Sequence, residues 1–382
     1  MEGIRRSING VCLMTGTVIG VGLFGLPYVA ARAGFLPTVM HILVLSGVGF
    51  LSAAMYAEVV ATYPQRMRLP GYVGASLGPH WRRLAIFSNT VGLFGALAAY
   101  VMVGGNFLAG MLQPVFGGPA WLYVGAYYVI GMAVIWAGQR TVVGMEVALL
   151  LVFFLIMAWL VARLSPFVRW EQWGGVGWGS LLLPYGVALF SIWGVSIVPD
   201  VVDEVGARYR RRLPWVLAAS TVLAALTYIL FTAVVLGVSG AQTSPESVAG
   251  LRVRLTSTGV AALYAFGLIT TFTSFISLGA LLQKVFWFDL KRTKRMALAA
   301  VAAVPAVFIF APPTAFIAVI GLTGALALGV DAYLILRVYR RLRGQPRIIT
   351  AVPKFMDALF PALLAAGIAA ELGSLTVEWL RH

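Results

Sequence analysis

The chain has 382 residues, of which 60% are hydrophobic and 11% charged, with a mean hydropathy of +0.92. A soluble domain is about one quarter charged, so a water-soluble globular protein is excluded and an integral membrane protein is indicated. The net charge of +15 would suit nucleic acid in a soluble chain. Here the basic residues fall between apolar runs, so they report topology and no nucleic-acid partner is expected.

Apolar runs of about 20 residues match a hydrocarbon core of about 30 Å. In chain order, runs near 8–31, 36–62, 84–112, 119–138, 142–164, 181–205, 213–238, 259–287, 296–312, 314–337 and 355–379 predict eleven spans. With the N-terminus inside, 22 of the 28 Lys and Arg residues fall in inner loops. They include Arg5, Arg6, Arg66, Arg68, Arg140, Arg208–Arg212, Lys284, Arg340, Arg343, Arg347 and Lys354. Positive charge collects on the cytoplasmic side, so the predicted topology is N-terminus inside and C-terminus outside, in a prokaryotic cytoplasmic membrane. The Trp-rich stretch RWEQWGGVGWG, Arg169 to Gly179, then lies outside, where indoles favour the headgroup region. A short amphipathic inner helix is expected within 63–81. The single cysteine, Cys12, and three scattered histidines, His41, His80 and His382, offer neither a disulfide nor a Cys/His metal site. The first apolar run lacks a small-residue cleavage site, so no cleaved signal peptide is expected.

The first span contains GTVIGVGLFGLP, Gly16 to Pro27. Four glycines and a proline weaken a helix in mid-membrane. Unwound backbone is tolerated there only where it lines a cavity or meets a ligand. Gly20, Val21 and Gly22 can form such a break, whose following amides suit a carboxylate. Close helix packing is the competing use of the same glycines. The sixth span carries SIWGVS, Ser191 to Ser196, followed by Pro199. Spans one and six hold corresponding places in two five-span halves of opposite direction, and paired interruptions of this kind point to a transporter's midplane site.

These two stretches resemble a known family. GTVIGVGLFGLP is similar to the first-span signature of the amino acid–polyamine–organocation superfamily. FSIWGVSIVPDVVDEVG resembles the sixth span of its amino acid/auxin permease branch, and LGVSGAQTSPESVAGL, Leu236 to Leu251, resembles bacterial aromatic amino acid permeases. The resemblance implies the LeuT-type fold: an all-α membrane protein with a 5+5 inverted repeat, discontinuous helices 1 and 6, and an eleventh helix. The expected division is 1–165, 181–340 and an extra C-terminal helix in 350–382.

By that resemblance, the amides around Val21, Gly22 and Leu23 take an amino acid's carboxylate, and carbonyls near Ser191, Ile192 and Gly194 take its ammonium. Trp193 either walls a side-chain pocket or packs, and Tyr100 stands where a hydroxyl can reach the carboxylate. Span eight holds ITTFTSFISLG, Ile269 to Gly279. The resemblance implies a sodium site there from the carbonyls of Gly16, Ile19 and Thr270 and the hydroxyls of Thr273 and Ser274. Ordinary back-bonding of Ser and Thr within the helix is the alternative. The span-five lysine of proton-coupled relatives is missing. Intramembrane acids default to function. Glu58, Glu146, Asp200, Asp203, Glu204 and Asp331 lie in or beside the inner halves of spans, as proton carriers or as an inner gate paired with arginines. Asp200 and Glu204, four apart on one helix face, lead the proton candidates.

The expected function is import of neutral amino acids, with aromatic ones as the narrower expectation, coupled to Na+ or H+ and needing no cofactor. The alternative is an amino-acid sensor without net transport, as in spore germinant receptors, which resemble the same branch. An intramembrane enzyme lacks a paired nucleophile and base, and a channel lacks a filter motif.

Overall fold

The computed structural model describes residues 1–137, 146–312, 314–342, 352 and 354–381. Arg140, Arg343, Arg347, His382 and the 142–145 start of the expected fifth span lie outside the described residues.

Every regular element among the described residues is helical. The first span is two helices, α1 (Glu2–Val18) and α2 (Gly22–Ala33), bent by 53° across Ile19, Gly20 and Val21. Gly34, at φ +100°, ends α2 and starts α3 (Phe35–Thr62). Only glycine takes that backbone conformation without strain. A short α4 (Leu69–Leu77) occupies the expected inner loop, ahead of the 38-residue α5 (Pro79–Phe116). At about 1.5 Å per residue, α5 is about 57 Å long and overshoots the hydrocarbon core at its ends. Then come α6 (Ala120–Ala137) and α7 (Glu146–Leu164).

The sixth span is α8 (Pro184–Ile192), a break at Trp193 and Gly194, a 3-10 turn over Val195–Ile197, and α9 (Val198–Val205). It is followed by α10 (Leu213–Ser239), a short outer-loop helix α11 (Ala249–Arg252) and α12 (Ser257–Lys284). Thr256 caps α12 by accepting from the Gly259 amide, and Thr293 caps α13 (Lys294–Val307) by accepting from that of Met296, which satisfies otherwise orphaned first-turn donors. The tenth span is α14 (Ala315–Leu322), a π-helical turn over Thr323–Leu328 and α15 (Gly329–Arg341). The last helix is α16 (Met356–Arg381).

Eight of these stretches are long and apolar enough to cross a membrane, and nine if α1 and α2 count as one bent span. The 14-residue α13 and α16 fall outside that count.

The loops sort onto two opposite faces. On one, Arg6 meets the Glu204 carbonyl, Arg66 pairs with Asp203, Arg341 donates to the Ser76 carbonyl and Arg340 pairs with Asp357. On the other, the Gly177 amide donates to Ala33, Arg169 to the Gly237 carbonyl, and Trp173 stacks on Phe35. The interrupted helices sit innermost: 89% of the apolar window of 184–205 is buried, against 22% for that of 148–167, which therefore lies at the periphery.

Candidate functional site

Both breaks form because their residues lack the bulk that a continuous helix would carry, and neighbouring side chains fill the space. A Cβ on Gly20 would fall 1.9 Å from the Tyr100 hydroxyl. One on Gly22 would lie 2.7 Å from the Ser191 Cα, and one on Gly194 would lie 2.3 Å from Val18 Cγ2. The glycines thus serve both uses anticipated for them: the helix is interrupted, and the two interruptions touch.

Tyr228, from α10, ties them together. Its hydroxyl oxygen lies 2.6 Å from the Val18 carbonyl and 2.6 Å from the Ser191 carbonyl. A phenol has one hydrogen, so it serves one carbonyl at a time. Tyr100, from α5, faces the Ser274 hydroxyl and the Val21 backbone. Around the breaks, the Leu23 amide is used by the Gly20 carbonyl at 3.2 Å, and the Phe24 amide by that of Val21 at 3.1 Å. Gly194 accepts from the Ile197 amide at 3.4 Å, and Ser191 Oγ turns back to the Val187 carbonyl at 2.7 Å. Leu23 and Gly194 therefore spend on local turns the groups anticipated for a ligand.

A narrow cavity opens beside the contact. Val18, Gly22, Tyr100, Ser191 and Trp193 line it, with Phe190, Asn89 and Asp331. Phe190 and Trp193 present aromatic surface, so Trp193 sits at the wall anticipated for it. Beyond the break, towards the face opposite the Arg-rich loops, Phe24 is packed by Phe107, Phe231 and Phe266, with ring centroids 4.7, 5.7 and 6.0 Å away. Ser247 of the outer loop donates to the Phe24 carbonyl at 2.5 Å. That side of the breaks is filled.

Of the anticipated sodium ligands, Ser274 Oγ comes within 3.5 Å of the Gly16 carbonyl. The Thr273 hydroxyl instead bonds within its own helix, to the Ile269 carbonyl at 3.0 Å and that of Thr270 at 3.3 Å. The Ile19 residue is buried at the break. The donor set is therefore only partly convergent in this conformation.

The acids of α9 are engaged. Arg68 forks onto both Asp200 oxygens at 2.6 and 3.0 Å, and Lys284 stands 3.6 Å from Asp200. Glu204 accepts from Asn9 at 2.8 Å. Asp200 and Glu204 thus reach different elements. Glu58 is buried in α3.

Sequence reasoning missed Tyr228, Ser88, Asn89 and the aromatic cluster. Nothing in the spacing of LTYILF around Tyr228 separates it from a packing tyrosine. Asp331 carried a signal as an intramembrane acid, without its partners.

The sequence profile of tryptophan/tyrosine permeases matches residues 4–338. The chain belongs to the tryptophan/tyrosine permease family. The match carries the aromatic permease part of the resemblance; the wider branch rests on the motifs alone. The tyrosine-specific transport system 1 of Haemophilus influenzae (strain ATCC 51907 / DSM 11121 / KW20 / Rd) is 26% identical over 114 residues. That is 30% of this permease and 28% of the relative, so the matched stretch spans under a third of the curated protein. Among solved structures, MhsT in complex with L-phenylalanine matches with a TM-score of 0.70 at 14% identity, covering 96% of this chain and 97% of that one. Mhp1, a nucleobase-cation-symport-1 family transporter in a closed conformation with bromovinylhydantoin bound, gives 0.67 at 12% identity, covering 97% and 92%. Both are LeuT-fold transporters, and the permease shares their fold. Family membership and fold speak for transport and against catalysis.

Proposed function

We propose that this permease is a secondary active importer of neutral aromatic amino acids that works by alternating access. The observation that carries the reading is the cavity at the contact of two broken helices, walled by Phe190 and Trp193. A midplane site between interrupted helices is the arrangement that secondary transporters use. In this reading the Val21 and Gly22 amides and the Tyr100 hydroxyl take the carboxylate. The Ser191 and Ile192 carbonyls take the ammonium, with the Tyr228 hydroxyl on the Val18 carbonyl. Aromatic substrates also suit the family and the names of two similar proteins. The chain is read as eleven spans, α13 and α16 included, divided into repeats at 1–165 and 181–340 with an extra helix in 350–382. The Arg-rich face is read as cytoplasmic, with the C-terminus outside. The coupling ion is Na+ or H+.

The test is uptake of labelled tryptophan, tyrosine, phenylalanine and leucine into proteoliposomes, with sodium and pH set independently on each side. Accumulation of aromatic amino acids above leucine is expected. Binding without counterflow would refute transport and favour a sensor.

A further inference from the structure

Among the described residues that line the cavity, Asp331 is the only carboxylate, and it is 1% exposed. Ser88 Oγ donates to its Oδ1 at 2.5 Å, and Asn89 Nδ2 to its Oδ2 at 3.2 Å. Both donors are neutral. No ion pair among the described residues includes Asp331. Its helix, α15, packs against α3, α4, α5, the π-turn and α16. The titratable groups those elements carry include Glu58, Tyr72, Arg82, Arg83, Tyr100, Asp357 and Glu371, and the side chains that hold the Asp331 carboxylate are Ser88 and Asn89. On α15 itself, Arg340 is committed to Asp357, Arg341 to the Ser76 carbonyl and Arg337 to Tyr333.

A carboxylate enclosed with two neutral donors bears a large cost when charged, and an added proton or cation relieves it. Three positive species are available: a metal cation, the substrate's ammonium and a proton. A metal cation needs several oxygen ligands. Ser88 and Asn89 present hydrogens to Asp331, and of the other oxygen-bearing side chains that line the cavity, Thr17 and Ser191 turn their hydroxyls back to carbonyls of their own helices. The ammonium is placed at the breaks in the reading above, against which Tyr100 packs. Asn89 and Tyr100 are eleven residues apart on α5, about 16 Å along the helix. Asp331, held by Asn89, thus lies about three turns of α5 from the tyrosine that packs against the breaks. The π-turn that leads directly into α15 adds to this, because such turns concentrate at functional sites.

We propose that Asp331 is the proton-carrying group of the transport cycle. Its carboxylic O–H forms when the site faces the proton-rich side. That bond breaks when the cavity opens to the cytoplasm, the proton passing to cavity water and the electron pair staying on the carboxylate. Ser88 and Asn89 are positioning residues that hold the ionised form. The proposal rests on the transport reading above.

The experiment compares wild type with Asp331→Asn in proteoliposomes, using L-tyrosine and L-tryptophan as probes. A one-unit inward pH gradient can concentrate a neutral amino acid up to about tenfold at one proton per cycle. Wild type should approach that ratio. Asp331→Asn should equilibrate at a ratio of one, and the exchange of labelled for unlabelled substrate that it retains should not depend on pH. Retained accumulation in Asp331→Asn overturns the proposal. So does loss of exchange in a folded Asp331→Asn protein, which would make the residue part of substrate binding or of the conformational change. If Asp331→Asn does not fold, Asp331→Glu and Ser88→Ala decide. Asp331→Glu should keep pH-driven accumulation and Ser88→Ala should shift the pH midpoint of uptake, while loss of accumulation in folded Asp331→Glu or a wild-type midpoint in Ser88→Ala overturns the assignment. Wild-type exchange without pH-driven accumulation overturns this proposal alone. No wild-type transport of any amino acid removes the transport reading first and this one with it.

Discussion

Tyr228→Phe isolates the hydroxyl that joins the two broken helices, because the ring and its packing remain. The Val18 and Ser191 carbonyls stand 2.6 Å from that hydroxyl. In a continuous helix each would accept from the amide four residues on, but the breaks displace those amides. Removing the hydroxyl leaves a buried carbonyl without a donor, at a cost of about 1–3 kcal/mol. If the arrangement around the cavity is the one that binds substrate, the dissociation constant should rise about 5- to 150-fold. Thermal stability in detergent should fall in parallel. Equilibrium binding of labelled tryptophan to purified protein, with a melting curve on the same sample, measures both. A variant with wild-type melting and a dissociation constant within twofold would limit the bridge to about 0.4 kcal/mol and refute the view that Tyr228 organises the breaks.

The glycines of the first span should separate by their surroundings. Gly22→Ala forces a Cβ against the Ser191 backbone and should cost about 1–3 kcal/mol, whereas Gly16→Ala meets nothing within 4 Å and should gain about 0.5–1 kcal/mol from helix propensity. Equal losses in thermal unfolding would refute close approach as the reason for Gly22. At the Arg-rich face, the Arg68–Asp200 pair is 13% and 26% exposed, between the weak surface limit and the strong buried one. A double-mutant cycle with Arg68→Gln and Asp200→Asn should show a coupling of about 1–2 kcal/mol. In a Cys12→Ala background, thiol labelling of Ser196→Cys should rise about 5- to 30-fold when the pair is broken, and unchanged labelling would remove the pair as a latch.

The membrane class and the succession of long apolar helices were legible in the sequence. They follow from run length and charge, which act locally and need no partner. The two interruptions were legible for the same reason, since glycines and prolines unwind a helix wherever it packs. Which polar groups those interruptions leave free was not. Leu23 and Gly194 spend theirs on local turns, and Thr273 closes back onto its own helix. Tyr228 is 210 residues from Val18 and 37 from Ser191, and Asp331 is 243 from Ser88. Such partners are chosen by how helices cross, and helix crossing depends on the shape of every side chain between them. Residue type and spacing therefore determined that this chain is a membrane protein with a broken-helix centre. Only the tertiary packing decided which tyrosine bridges the breaks and which carboxylate stands in the cavity without a cation.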